Sequence, residues 1–501
     1  MRPNNLTACK CAIIGLACAS TWPQVAQGSP PYINATLDQN TSGVGSRAYD
    51  INQYGQVVGW IAGGSGHHAA HWYNEQFTDV NDTTHFMLLQ DFTIDIAEAY
   101  AISDGDQVVG TAQTRLQCPG RTIDVWHAFV MRPAVLTDLA TPIPGDAITE
   151  LWTFGNPCTA YNSVATAISN ANHVVGWADV NNAATIRAFL VRPQNGVWFV
   201  PPSDPNDDYV NQLMVDLGTL GGAESAAHGV NDAGVIVGYS YLSNNNPPAR
   251  YHAFMITPAG DTWFADANSD GANDLMLDLG TLGGHNSWAR AINNSNQVVG
   301  ESDTADFNTH AFLWSGGVMT DLGTLGGRSS SAAAINEQGH VVGWAENAAG
   351  QRRAFVWING VMTDLNSALL FGQSLGGLVL TEARGINDAG QIVGFASRPG
   401  GGESRPFLFT PATPAQIAAA AAAEAALNEA LGNSGGSSGS GGAGGQPIVG
   451  TPANLQGGSD PNAPVAGQTS DATLNTCGFG TAAILPVTLA GLIGMRRFRP
   501  R

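Results

Sequence analysis

The sequence predicts an all-β fold: one β-propeller of about seven four-stranded blades, closed by an N-terminal strand and followed by a disordered tether and a short hydrophobic tail helix. Three observations predict it. A block of the form Ile-Asn-x-x-Gly-Gln-Val-Val-Gly recurs, with substitutions, in copies ending at Gly59, Gly110, Gly176, Gly238, Gly300, Gly343 and Gly394. A second and a third block follow most copies in fixed order. The unit is also offset from the chain ends, so that the last unit lacks a final strand that the N-terminus can supply.

The first block reads as two strands joined by a hairpin. Ser-x-Ala-x-x-Ile-Asn runs into an Asn-x-x-Gly turn, whose residues tolerate a left-handed backbone, and Gln-Val-Val-Gly runs out of it. The third strand is the His-Ala-Phe run of His127–Phe129, His252–Phe254 and His310–Phe312. Arg replaces its His at Arg187, Arg353 and Arg405, and the first copy is degenerate over His68–Trp72. The fourth is the Met-x-Asp-Leu-Gly run, which opens a closing block at Asp216–Gly222, Asp278–Gly284 and Asp321–Gly327. Several short strands repeated at periods of about 40 to 50 residues describe propeller blades, and the longer intervals are loop insertions. Tyr32–Leu37 has the layout of a fourth strand, and pairing it onto Phe407–Phe409 removes an exposed sheet edge.

The three blocks, over roughly Tyr32–Pro411, resemble the HAF-repeat family of probable extracellular bacterial proteins. The resemblance implies a secreted or surface location and carries no catalytic set.

Composition agrees. In 501 residues there are 40 acidic and 20 basic side chains, a formal charge of −20, and no Lys/Arg stripe that could neutralise phosphates, which excludes nucleic acid as a partner. Charged residues make up only 12% of the chain, and its 62 glycines suit tight turns.

The ends carry addresses. Residues 1–19 read as a signal peptide: Arg2 and Lys10, an apolar run from Cys11, then Ala17-Cys18-Ala19 at the cleavage point. Cys18 as a lipidated cysteine is the weaker alternative, because Leu16 is one place out of register. Residues 31–411 form the propeller, 412–431 an Ala-rich helix, and 432–476 a Gly/Ser/Pro-rich linker. Residues 477–501 read as a sorting signal or membrane anchor. Cys477-Gly478 precedes an apolar stretch over 481–495, short for a full span, and Arg496 and Arg497 follow it. This tail resembles the PEP-CTERM and MYXO-CTERM signals that a membrane sorting protease recognises, with Cys-Gly-Phe-Gly where Pro-Glu-Pro would stand.

The sharpest chemical pattern is the loop Asp266–Asp274. Asp266, Asn268, Asp270 and Asp274 supply side-chain oxygens at positions 1, 3, 5 and 9, Gly271 supplies the tight turn, and Ala272 offers a carbonyl. That set suits a structural Ca²⁺, although position 12 is Leu277 and not a bidentate Glu; the alternative is a plain Asn/Asp/Gly turn. Cys118 and Cys158 fall in loops on one face of adjacent blades, as a disulfide or as two free thiols.

The repeated His residues belong to separate blades and read as structural hydrogen-bonders. Trp60, Trp177, Tyr239, Trp344 and Phe395, each following a Val-Val-Gly-type run, read as blade packing ahead of glycan platforms. Gly372-Gln373-Ser374-Leu375-Gly376 has the letters of a nucleophile elbow without the strand-turn-helix setting. The expected function is therefore an exported, surface-displayed, non-enzymatic binding or adhesion scaffold for a glycan or surface protein. The alternative is an extracellular polysaccharide hydrolase or lyase. A hydrolase gathers Asp, Glu and His in the central pocket, whereas a scaffold lines it with Asn, Thr and Ala.

Overall fold

The computed structural model describes residues 29–37, 45–62, 66–73, 76–79, 94–118, 121–131, 149–150, 162–180, 185–200, 211–242, 250–399 and 404–434. The signal peptide, the linker, the tail with Cys477, Gly478, Arg496 and Arg497, and Cys158 lie outside the described residues. The described strands form seven four-stranded antiparallel sheets, the blades of a β-propeller. Blade five shows the plan, with strands Gly283–Ile292, Val298–Thr304, Thr309–Ser315 and Val318–Asp321 paired in sequence order.

Blade seven is closed from the other end of the chain. Val379–Ile386, Ile392–Ser397 and Arg405–Pro411 are completed by Tyr32–Thr36, in register from Tyr32 opposite Pro411 to Thr36 opposite Phe407. Tyr32 is fully buried and stacks on Phe409 at 5.8 Å.

Hydrogen bonds between the first-hairpin turns tie the blades together a second time. In the inner set, Asn side chains donate to the backbone of the next blade: Asn231 to Asn293, Asn293 to Asn336, Asn336 to Asn387, and Asn387 to Asn52 across the closure, each at 3.1 Å, and the set stops at blades two and three, which carry Ser103 and Ser169 there. The outer ring uses the residue after each of these. The backbone N–H of Gln53 donates to Asp104, Asp104 to Asn170 and Asn170 to Asp232. Asp232 then donates to Asn294, Asn294 to Glu337, Glu337 to Asp388, and Asp388 back to Gln53. Each blade contributes one donor and one acceptor.

The packing explains the blocks. Ala and Phe of the His-Ala-Phe run are buried at Ala253, Phe254, Ala311 and Phe312, in cores shared by neighbouring blades. Burying one such Phe stabilises the fold by about 1.5–3 kcal/mol. The first-strand Ser is a latch between blades: Ser287 Oγ accepts the N–H of Ala253 at 2.8 Å and donates to the Gly280 carbonyl, and Ser225 and Ser330 repeat this.

The closing block divides differently from the sequence reading, which placed all of it at the end of a unit. Asp278 ends the fourth strand of blade four, Leu279–Leu282 cross between blades, and Gly283 already opens the first strand of blade five. The reason is Asp278 itself, which accepts the Gly280 N–H at 2.8 Å and turns the chain out of the strand.

The helix spans Pro414–Ser434, slightly longer than expected. Thr413 and Gln416 form a reciprocal capping box, and Pro414 occupies the first helical position. Ile417 and Ala420 seat the helix against Leu370, Ala412 and Ile33. Among the described residues no helix is long and apolar enough to cross a membrane.

Candidate functional site

The first strand of every blade contains the same irregularity. Its register against the second strand slips by one residue immediately after a fully buried Ala: after Ala48, Ala99, Ala165, Ala227, Ala289, Ala332 and Ala383. The glycine of the Val-Val-Gly run makes room for it. A Cβ on Gly300 would stand 1.9 Å from the Trp288 carbonyl oxygen, and one on Gly59 as close to that of Arg47. A β-bulge leaves one residue unpaired and re-aims its side chain. Here the bulged residues are Tyr49, Tyr100, Thr166 and His228 in blades one to four, then Arg290, Ala333 and Arg384, and all seven line one central cavity of about 500 Å³.

The residue just before each buried Ala forms a second tier: Arg47, Glu98, Val164, Ala226, Trp288, Ser331 and Glu382. Opposite these, on the second strand, stand Trp60, Thr111, Trp177, Tyr239, Glu301, Trp344 and Phe395. The repeat thus holds its framework constant and varies these three positions, the bulged one of which lines the cavity in every blade. Chemistry is concentrated where the copies differ.

Those side chains form a paired network. Arg290 donates to Glu301 at 2.8 Å and lies over Trp288 at 4.6 Å. Arg384 contacts Glu382 at 2.6 Å, and Arg352 stacks on Trp344 at 3.6 Å. Arg47 sits over Phe395 at 4.5 Å, with its Nε buried and without a hydrogen-bond partner. Glu98 accepts from Tyr100 Oη at 3.0 Å and contacts His67 Nδ1 at 2.9 Å. Guanidinium and carboxylate groups alternating with aromatic faces suit a polar, ring-bearing ligand.

Burial shifts several of these groups. Asp50, deep in the channel wall, is pushed up to about 7 by burial, against the pull of N–H donors from Ile102 and Ile51. His228 is pushed down to about 3 by burial, with Arg290 adding repulsion, and is neutral at physiological pH. Tyr100 is raised by burial and by the neighbouring Glu98.

Asp50, Glu98 and His228 gather in the lining, as the hydrolase alternative expects, and it is not an Asn/Thr/Ala wall. Its carboxylates are engaged by protein partners. Trp177, Trp344 and Phe395, expected mainly as blade packing, stand on cavity walls. The repeated His residues behave as read: His252 pairs with Asp278 at 2.9 Å and His310 with Asp321 at 2.8 Å, each inside its own blade. Arg353 approaches Asp364 in the same way at 3.8 Å. His127 is buried.

The Asp266–Asp274 loop lies between the third and fourth strands of blade four, away from the channel residues. Asp266 accepts the N–H groups of Asp270 and Gly271, Asn268 that of Asp270, Asp270 that of Ala272, and Asp274 that of Ala267. Among the described residues no three His, Cys, Asp or Glu side chains gather as metal ligands. Cys118 ends a strand of blade two, opposite Arg121, and its partner in the disulfide reading lies outside the described residues. Ser374 accepts the Gly376 N–H at 3.1 Å in an exposed turn with no helix after it, so the elbow letters carry no elbow.

No curated protein matches the chain in sequence. Among solved structures it is similar in fold to TolB from Acinetobacter baumannii, at 9% identity over 71% of this chain and 79% of that one, with a TM-score of 0.33. An α-L-arabinofuranosidase from Podospora anserina in complex with cellotriose matches at 7% identity over 77% of this chain and 98% of that one, TM-score 0.27. An α-L-arabinanase from Cellvibrio cellulosa complexed with arabinohexaose matches at 11% identity over 58% and 94%, TM-score 0.23. Residues 222–402, which span the repeats of blades four to seven, match the model of a family described as a protein of unknown function, DUF3466.

Proposed function

We propose that the chain is an exported, surface-displayed, non-enzymatic binding module that takes a saccharide into the central channel of its propeller. The observation that carries this reading is the ring of seven β-bulges, which turns one side chain per blade into a cavity that Trp177 also lines, beside a second cavity walled by Trp344 and Phe395. Aromatic faces stack on sugar rings, and fixed charge pairs accept and donate to hydroxyls. Export, HAF-type repeats and processing of the tail by a sorting protease are parts of the same proposal and rest on the sequence patterns alone.

The alternative, a polysaccharide hydrolase or lyase, draws on Glu98, Glu301, Glu382 and Asp50 in one channel region. The partners argue for binding. A general acid must hold a proton aimed at the leaving oxygen; burial raises Asp50 to about 7, but both its oxygens accept backbone N–H groups, and Glu301 and Glu382 face guanidinium groups. The test is a glycan array with the full chain and a Trp344→Ala variant. Retained oligosaccharides, weakened at least tenfold in the variant and recovered uncut after incubation, are expected. Cleaved products would establish the enzyme, and binding indifferent to Trp344 would move the site out of the channel.

Calcium at the Asp266–Asp274 loop is a separate proposal, supported by the alternating oxygens and by left-handed Ser269 and Gly271, at φ 60° and 83°, which curl the loop. Calcium is expected to raise the melting temperature, with the rise abolished by EDTA and absent in Asp270→Ala. An unchanged melting temperature assigns the loop to its own hydrogen bonds.

A further inference from the structure

One part of the channel is chemically unlike the rest. Over blade six the two inward positions are the small residues Ser331 and Ala333, which leave a cavity of about 440 Å³ between the neighbouring blades. Its charged walls are Arg47, Arg290, Arg352 and Arg384 against Glu301 and Glu382. Four guanidinium groups against two carboxylates leave two positive charges in a chain whose net charge is −20.

The two carboxylates are already engaged, Glu301 by Arg290 at 2.8 Å and Glu382 by Arg384 at 2.6 Å. Arg352 stands 4.0 Å from Glu382 with its plane on Trp344, and Arg47 lies on Phe395 with a buried Nε that no protein group accepts from. A buried donor without an acceptor costs about 1–3 kcal/mol. The aromatic faces hold both guanidinium groups in place, and a planar, two-oxygen acceptor would use their terminal N–H donors.

We infer that this cavity is a carboxylate subsite, and that the saccharide bound in the channel is an acidic one, a uronate-containing oligosaccharide whose ring packs on Trp344 while its carboxylate meets Arg47 and Arg352. The inference rests on the channel reading above and narrows it to one ligand class. The cavity volume accommodates a short stretch of sugar. The long-range field of the chain opposes an anionic ligand, so the acid enters because of these local guanidinium groups.

The test compares trimers of galacturonate, glucuronate and mannuronate with their neutral methyl esters by titration calorimetry on the full chain. At least one acid is expected to bind ten or more times tighter than its ester, with affinity falling as salt rises. Arg352→Gln, at a half-exposed position where folding is safe, and Arg47→Gln each remove that preference, so that acid and ester bind the variant equally. Equal binding of acid and ester, both lost in Trp344→Ala, overturns the carboxylate subsite and leaves the channel reading standing. An acid preference that survives both Arg variants places the subsite elsewhere and overturns the inference. If no acid binds, the inference fails, and the glycan array separately decides the channel reading.

Discussion

Replacing Tyr32 by Ala lowers the stability of the propeller by about 3–5 kcal/mol, the loss typical of a large buried aromatic. Tyr32 sits at the start of the strand that completes blade seven, buried against Phe409, Leu365 and Leu380 in one core cluster. Its backbone also donates to Ala368 and accepts from Leu370, tying the closure to the connection between blades six and seven. Chemical denaturation of the variant measures the loss. Tyr54→Ala, at a residue 68% exposed in a hairpin turn, is the control and changes stability by no more than about 0.5 kcal/mol. The hydrogen bonds across the closure from Asn387 to Asn52 and from Asp388 to Gln53 do not depend on Tyr32, so the variant is expected to remain a closed propeller, weakened but folded. Complete unfolding would show that the strand alone holds the ring.

The second large effect is a pH dependence. Asp50 has a folded-state pKa raised from 3.8 to about 7, so the native protein holds a proton that the unfolded chain releases. Below about pH 4 both states are protonated and Asp50 costs nothing. As pH rises from 4 to 7 the unfolded state loses its proton first, and stability falls until the native carboxyl also ionises. The rise from 3.8 to about 7 corresponds to a ceiling of roughly 4 kcal/mol. The other six blades carry Ala101, Ala167, Gly229, Ala291, Ala334 and Gly385 at this position, so Asp50→Ala is the substitution the fold already accepts. The variant should lose the acid-side advantage: its stability relative to wild type rises from pH 4 to pH 8. A difference that is flat with pH would mean that the donors from Ile102 and Ile51 compensate burial fully.

Much of the fold is legible in the sequence because its constraints repeat. Gly300 and its equivalents recur because any side chain there would strike the first strand, and Phe254 and Phe312 recur because they fill the same gap between blades. The N-terminal closure was legible from the missing fourth strand after Phe407–Phe409. The Ser287 latch was not, because its other partner, Ala253, lies 34 residues away in the preceding blade, although its bond to Gly280 spans only seven residues. The boundary inside the closing block was obscured by Asp278, which pairs with His252 as a strand residue and caps the Gly280 turn at once.

The site was harder to read for a physical reason. Repeat blocks are found by what stays the same, and the channel is built from what changes: Arg290 and Arg384 occupy the same register as Ala333, and Glu382 the same as Ser331. The signal lay on either side of the unvarying Ala in each first strand. Alternation puts both neighbours of that Ala on one face, and the bulge, invisible in sequence, brings the following residue, such as Asp50, into the same lining.

The most direct measurement is photoaffinity mapping with a diazirine-bearing oligosaccharide chosen from the array. The account predicts labelled peptides from first and second strands of different blades, containing residues such as Arg290, Trp344 and Arg384, with labelling suppressed by unlabelled ligand. Specific labelling confined to the outer fourth strands or to the Asp266–Asp274 loop would contradict it, and would make the channel a structural hub with binding on the rim.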